Sequence, residues 1–445
     1  MAKKITEPTT LPRERAFLVG IELRNEPTLL SLEDSVAELA RLAETAGLVV
    51  VGEASQKMDQ PNSVTFIGTG KVDEIKAFLE ETLADVVIFD NELSPRHLRE
   101  LEKRFGGSVR VIDRTALILD IFAQHAHTRD GILQVELAQN EYRLPRLTRA
   151  WTHLARQAGG GGGRTGSTGG VGLRGPGETQ LEVDRREVRR RIGILKSELE
   201  KVRAHRLRYR AQRKRSQIPV IALVGYTNAG KSTLLNYLAK TNVFVANQLF
   251  ATLDPTTRRI ELPGDHGALL TDTVGFIQKL PTQLIAAFRA TLEEIAEADL
   301  LIHVVDITHV NAMMQWKAVQ ETLVEIKADH IPMISVLNKI DRLPDPLAAR
   351  QALAEFSDSV AISALSGKGI PDLLFAIENQ LFETLVALSV RLPYQQGQLI
   401  SMFHEQGQVK RIEHGRGGVM MEGFLPGRLL ARYQPFLLDD NPQNE

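Results

Sequence analysis

The chain has no cysteine, which excludes a disulfide frame and any thiolate metal site. That absence fits a reducing compartment, and a cytoplasmic location is the expectation. Long apolar runs are missing too: no uncharged stretch approaches the roughly 20 residues that would span a bilayer. The opening segment MAKKITEPTTLPRER is polar and lacks the apolar core of a secretory signal, so no export is expected. Net charge is nearly absent, at −1 over 445 residues, but the balance conceals an asymmetry. Residues 143–215 hold 20 Lys/Arg against 6 Asp/Glu, a local excess of +14, so the remainder carries −15. A polyanion-binding segment inside an otherwise acidic protein is the direct reading.

At 43% hydrophobic and 24% charged residues, the composition is that of ordinary globular protein, long enough for about three domains. Residues 1–16 are polar and aperiodic, and a disordered tail is expected. Residues 17–115 alternate strand and helix: FLVGIEL, a helix over Ser31–Ala46, a strand over Leu48–Gly52, VTFIG at 64–68, and a helix near Val72–Leu83. VVIFD (86–90), a helix from Ser94 and VRVID (109–113) complete the series. Ser31 is an N-cap residue, with Asp34 at the capping-box position and Leu32, Val36, Leu39, Leu42, Ala43 and Ala46 on one helix face. Such alternation predicts a parallel α/β domain. Gly68-Thr69-Gly70-Lys71 lies at one of its strand-to-helix turns, where a plain tight turn is favoured over a phosphate site.

A helical, basic arm is expected over 116–216. Ala116–Arg143 reads as helix interrupted near Arg129–Gly131, and Leu147–Gln157 continues it. Within the following loop, 159–177, 11 of 19 residues are glycine, with Arg164 and Arg174 embedded. It suits either a nucleic-acid backbone or a flexible linker. Leu181–Arg215 is proline-free, with 14 basic against 3 acidic residues over 185–215. Its apolar residues Leu181, Val188, Ile192, Leu195, Leu199 and Val202 predict one packed face, suited to an antiparallel hairpin or a coiled coil. The charged face reads as phosphate-contacting in preference to merely solvated. Residues 389–445 hold strand-like pieces, QLISMFH, QVKRIEHG and GVMMEGFLP, and predict a small α+β domain.

Most of the chemistry is expected in 217–388. The strand-like PVIALV leads into Gly225, Tyr226, Thr227, Asn228, Ala229, Gly230, Lys231, Ser232 and Thr233, and a helix-like run follows. This is the setting a G-x-x-x-x-G-K-[ST] phosphate loop needs. Its glycines let backbone N–H groups face anionic oxygens, Lys231 reaches the β- and γ-phosphates, and the Ser232 hydroxyl binds Mg2+. Asp272, Thr273, Val274 and Gly275 end an apolar strand as D-x-x-G. Asp272 is expected to hold Mg2+ through water and the Gly275 N–H to sense the γ-phosphate. Asn338, Lys339, Ile340 and Asp341 form N-K-x-D, whose carboxylate accepts from guanine N1–H and the 2-amino group. Ser363, Ala364 and Leu365 follow the short strand Val360–Ile362, and a backbone N–H there is expected at guanine O6. In this order, each at a strand end, the set points to a Ras-like GTPase sheet.

The first switch is read in Phe250, Ala251, Thr252, Leu253 and Asp254, with Thr252 as Mg2+ ligand and Thr256 and Thr257 as rivals. Lys231, Thr252 and Gly275 are the expected catalytic contacts to the γ-phosphate. Phe276 stands where Ras-type switches carry a water-orienting glutamine, so slow intrinsic hydrolysis accelerated by a partner is expected. The basic arm ends at Arg215, ten residues before Gly225, which places a docked polyanion close to the switches.

The chain resembles the HflX family of translational GTPases, within the Obg–HflX group. The carrying motifs are GYTNAGKST, FATLDPTTR (250–258), TDTVGFI (271–277) with the LP and AAFRATLEE that follow, GGRTGSTGGVGLRGPGETQLEVDRR (162–186) and FIGTGKVDEI (66–75). The last departs from the family's usual Y-I-G-K-G-K at Phe66 and Thr69. The resemblance implies a cytoplasmic protein, expected as a monomer, that binds the 50S ribosomal subunit, hydrolyses GTP with Mg2+ and splits stalled or idle 70S ribosomes. It also implies a nucleotide-binding-like N-terminal domain that takes ATP. In that reading the arm and glycine-rich loop meet rRNA. The alternative is a regulatory GTPase acting on membrane or protein effectors. Peripheral membrane contact would require bulky aromatics, and Tyr209 is the single Phe/Trp/Tyr in 185–215.

Overall fold

The computed structural model describes residues 13–24, 30–147, 176–215, 218–240, 249–250, 253–263, 266–279, 294–343, 356, 359–382, 385–415, 417–426 and 429–438. The expectations for residues 1–12, for 148–157, for the glycine-rich stretch 159–175 and for Ala251 and Thr252 lie outside them.

The first sheet joins β1 (Arg15–Leu23), β2 (Val49–Met58), β3 (Val86–Phe89) and β4 (Arg110–Asp113) in the order β2-β1-β3-β4, all parallel. Successive residues of β1 face opposite sides, as a strand requires. Ala16 and Leu18 pack toward α1 (Leu32–Thr45) and α4 (Arg114–His125), while Phe17, Val19 and Ile21 pack toward α2 (Thr69–Thr82) and α3 (Pro95–Arg104). Ser31 caps α1 as expected, its hydroxyl accepting from Asp34 N at 3.1 Å. The expected strand at 64–68 is a turn. Asn62 Oδ1 accepts from Val64 N and Thr65 N, an Asx-type turn closed by pairing between Asn62 and Phe66, and these local bonds take the place of a ladder.

The arm pairs α5 (Arg129–Arg143) with the 40-residue α6 (Pro176–Arg215). Leu133 and Leu137 meet Leu195 and Leu199, and the Arg191 guanidinium makes a two-pronged contact with Glu136 at 2.6 and 2.7 Å. Arg129–Glu198 and Arg191–Glu136 ion pairs run in opposite chain directions, so the hairpin is antiparallel. Pro176 and Gly177, expected in the loop, open α6 instead, since proline suits the first helical position.

The second sheet has the order β10-β9-β8-β5-β7-β6, with β6 antiparallel. Its strands are β5 (Val220–Gly225), β6 (Thr256–Glu261), β7 (Gly267–Asp272), β8 (Leu300–Asp306), β9 (Met333–Asn338) and β10 (Ser359–Ala361). Helices α7 (Lys231–Ala239) and α9 (Ile370–Leu381) cover one face. α8 (Ala312–Glu325) covers the other, which is also the face turned to the first sheet. Val36, Leu39, Phe122, Val224, Phe250 and Phe276 belong to one continuous apolar core, so the two sheets share an interior.

A third, antiparallel sheet orders β11 (Leu385–Leu392), β13 (Gly418–Pro426) and β12 (Gln408–Gly415) under α10 (Gly397–Gln406). Two expectations change here. QLISMFH is helical, because Leu399, Ile400 and Phe403 recur on one turn-spaced face, with Phe403 buried edge-to-face on Tyr433. β11 begins at Leu385 and pairs along β13, so residues 385–388, read with the GTPase segment, belong structurally to this last sheet.

Candidate nucleotide site

The phosphate loop sits between the end of β5 and α7, at the carboxyl edge of the second sheet. Gly225 and Gly230 hold φ of +148° and +102°, conformations that favour glycine, and Asn228 is also left-handed. A Cβ at Gly230 would overlap the Asn338 side chain and one at Gly225 the Val304 carbonyl, so both glycines are fixed sterically as well. Lys231 is 6% exposed, and its Nζ donates to the carbonyl oxygens of Gly225 and Tyr226 at 3.0 and 2.9 Å. Burial pushes its pKa down to about 8, against the opposing pull of Asp272. His303, buried beneath the loop on β8, is pushed down to about 3 by burial and then by Lys231, so it stays neutral.

The D-x-x-G residues meet this loop. Ser232 Oγ donates to Asp272 Oδ2 at 2.6 Å, and Thr273 Oγ1 donates to Leu223 O. Thr227 N donates to Phe276 O at 2.8 Å and Phe276 N to Gly225 O at 3.0 Å, which ties the second switch to the loop by backbone. A Cβ on Gly275 would sit 2.8 Å from Thr227 Cγ2 and 3.1 Å from Lys231 Nζ, so Thr227, Lys231 and Gly275 converge on one point. Phe276 is 4% exposed and turns into the shared core, where it meets apolar side chains. Ser232 and Asp272 offer hard oxygen donors next to the loop, and no cluster of three or more His, Cys, Asp or Glu able to cage a metal exists among the described residues. That sparse oxygen set fits Mg2+, which keeps water and takes further ligands from substrate phosphates.

Asn338 knits three loops together: its Nδ2 donates to Ala229 O at 2.8 Å and its Oδ1 accepts from Ala364 N at 2.9 Å. Lys339 Nζ donates to Asn228 O at 2.8 Å and to Asp306 Oδ2 at 2.6 Å. Asp341 lies exposed in a short turn of helix at 340–342. Ser363 N donates to Lys368 O, so of the three amides expected near guanine O6, that of Leu365 is the one not engaged within the described residues. The switch rivals Thr256 and Thr257 lie in β6, where Thr257 Oγ1 pairs with Thr271 Oγ1 at 2.9 Å. Phe250 packs on Phe122 of α4, Asp254 accepts from Thr128 N at the start of α5, and Leu253 is buried in the shared core.

Sequence reasoning missed a buried polar bridge from the first sheet to the nucleotide loop. Arg114, 2% exposed, binds Asp90 Oδ1 at 2.6 Å and also Glu38; the Glu38 carboxylate accepts from Tyr226 Oη, and Lys279 Nζ binds Asp90. Tyr226 Oη accepts in turn from Gln278 N at 2.8 Å. Burial opposes the Arg114 charge, but Glu38 and Asp90 outweigh it and raise the pKa. Burial and then Glu38 push the Tyr226 hydroxyl up, so it remains a donor. A signal existed: Ser35 and Glu38 are polar positions beside the apolar stripe of α1, and Asp90 directly follows the carboxyl end of β3. Gly68, by contrast, is the N-cap of α2 and Thr69, Gly70 and Lys71 open that helix, with Lys71 Nζ held by Glu74 at 2.7 Å.

Four family models match consecutive stretches: GTP-binding GTPase N-terminal over 33–123, GTP-binding GTPase Middle Region over 125–213, 50S ribosome-binding GTPase over 220–339, and HflX C-terminal domain over 348–427. The GTPase HflX of Caldanaerobacter subterraneus is 42% identical over 96% of this chain and 94% of its own length. Those of Escherichia coli K12 and Alkalihalophilus pseudofirmus are each 43% identical, over 96% and 92% of this chain and 97% and 93% of their own lengths. With a guanine-type loop set at one sheet edge and likeness along its whole length, the chain belongs to the HflX family of GTPases.

Proposed function

We propose that this GTPase is a ribosome factor whose GTP-bound form docks on the large subunit through the basic face of α6, and whose turnover is stimulated there. The observation that carries the reading is the charge of that helix. Leu195 and Leu199 are buried against α5, Val183 and Ile194 are the exposed large apolar residues of its described side chains, and Arg189 and Arg190 stay exposed among 14 basic residues in 185–215. Exposed arginines beside few exposed apolar side chains, without a bulky aromatic among them, suit a phosphate backbone better than an acyl layer. No described helix is long and apolar enough to cross a membrane. Separation of 70S ribosomes into subunits is the expected consequence, by GTP-driven docking and release on hydrolysis.

In this reading Lys231 exchanges its two loop carbonyls for β- and γ-phosphate oxygens, and loop amides with the α7 N-terminus complete the cradle. Ser232 and Thr252 would hold Mg2+ directly, Asp272 through water, and the ion would neutralise charge on the phosphates. Asp341 accepts from the guanine edge, and Asn338 and Lys339 brace the loop beneath it. Phe276 gives the attacking water no hydrogen bond, so positioning falls to backbone groups or to the docked partner. At Gly68–Lys71 a phosphate would have to displace Glu74 from Lys71 Nζ. Sucrose-gradient sedimentation with a non-hydrolysable GTP analogue tests the proposal. Co-migration with the large subunit, or conversion of 70S to subunits, supports it; free protein at the top of the gradient in both nucleotide states refutes it.

A further inference from the structure

The described residues of the first switch, Phe250, Leu253 and Asp254, reach helices outside their own sheet. Phe250, 2% exposed and left-handed at φ +57°, packs edge-to-face on Phe122 of α4 with ring centres 4.7 Å apart. Four residues on, the Asp254 carboxylate sits at the N-terminus of α5. Its Oδ2 accepts from His127 N at 2.9 Å and Thr128 N at 2.8 Å, and its Oδ1 accepts from Thr128 Oγ1. That hydroxyl is itself the N-cap of α5, accepting from Gly131 N at 3.0 Å. Gly131 lies so close that a Cβ there would overlap Asp254 Oδ1. Leu253 is buried in the same core.

Thr252 therefore stands in the chain two residues after one anchor and two before the other, and both anchors belong to the α4–α5 pair. We propose that this pair is a clamp on the first switch, with Phe122 and Thr128 as positioning residues for Thr252, and that the arm operates it. α5 is one helix of the hairpin that carries the basic helix, locked to α6 by the Leu133, Leu137, Leu195, Leu199 contact and the Arg191–Glu136 pair. A load on α6 reaches Asp254 through one rigid helix, with no flexible connection between. The bond to Asp254 is charge-assisted at three donors and aligned with the α5 dipole, so it resists the load instead of slipping. A misplacement of a metal-binding threonine by an ångström is enough to slow turnover by about 100-fold. The coupling to docking rests on the ribosome reading above; the clamp itself does not.

Thr128→Ser, Thr128→Val and Gly131→Ala in the full-length protein provide the test. Gly131→Ala is informative because helix propensity alone would strengthen α5, while its methyl group displaces Asp254. With Mg2+ and a non-hydrolysable GTP analogue, hydrogen exchange in residues 253–258 should rise about tenfold or more in Gly131→Ala and Thr128→Val, and stay at the parent's level in Thr128→Ser. Intrinsic kcat should fall about tenfold and the half-saturating Mg2+ concentration rise several-fold, with KM for GTP and melting temperature little changed. Unchanged exchange and Mg2+ requirement in Gly131→Ala would overturn the clamp, as would a serine variant as defective as the valine one. Added large subunits should stimulate the parent but not Gly131→Ala, although both bind; equal stimulation overturns the coupling. Subunits that stimulate neither would sink the ribosome reading, leaving the clamp to stand or fall on the first two measurements.

Discussion

Nucleotide binding at Lys231 should take up a proton at alkaline pH. In the free protein burial is the dominant influence on its ammonium group, and the pKa is pushed down to about 8 from an ordinary 10.5, with Asp272 pulling weakly the other way. Phosphate oxygens on Nζ would restore the charged form. Below about pH 7 the free lysine is already protonated and binding moves nothing. At pH 8.5 only about one quarter of free molecules carry the proton, so binding takes up about three quarters of a proton and apparent affinity falls about fourfold, or about 0.9 kcal/mol. Titration calorimetry of GDP binding in two buffers of different ionisation enthalpy counts the proton directly. Lys231→Met removes the titrating group and should abolish this uptake. For folding without nucleotide the sign reverses: the unfolded chain holds the proton to 10.5 and the folded one to about 8, so this group adds stability as pH rises through that window. Zero proton uptake at pH 8.5 in the parent, or equal uptake in Lys231→Met, would refute the reasoning.

Three other substitutions probe separate parts. Asp341→Asn replaces one acceptor with a donor, and should lose preference for GTP over XTP in competition binding; an unchanged ratio contradicts the base assignment. Arg114→Met leaves Asp90 and Glu38 buried without their shared cation and should destabilise by about 3–5 kcal/mol in denaturant titration, with a loss under about 1 kcal/mol counting against the bridge. Neutralising Arg189 and Arg190 together should lower large-subunit affinity and reduce the salt slope by about one unit per lost contact; Arg191 is left alone because Glu136 already engages it.

The legible parts of the sequence were those with local chemistry. Glycine, lysine and serine at fixed spacing, each motif at the end of an apolar strand, point to one sheet edge, and there Ser232 meets Asp272 and Asn338 meets Ala364. Periodicity similarly revealed α1 and the packed face of α6. Local signals misled where tertiary bonds decided: Asn62 turned a β-like run into a turn, and Phe403 found its partner Tyr433 only in a helix. The illegible part was contact between distant segments. Asp254 and Thr128 are 126 residues apart and Glu38 and Tyr226 188 apart, and each looks locally like a turn residue, a cap or a surface charge. Their meaning lies in a shared core that no single window of sequence shows.

The central claim is that GTP readies the basic arm for the large ribosomal subunit. Its most direct test is the affinity of full-length protein for purified large subunits with a GTP analogue and with GDP, across a salt series. The account predicts tighter binding in the GTP state by about tenfold or more, and a log–log salt dependence that flattens when Arg189 and Arg190 are neutralised. Equal affinity in the two nucleotide states, or a salt slope indifferent to those arginines, would contradict it.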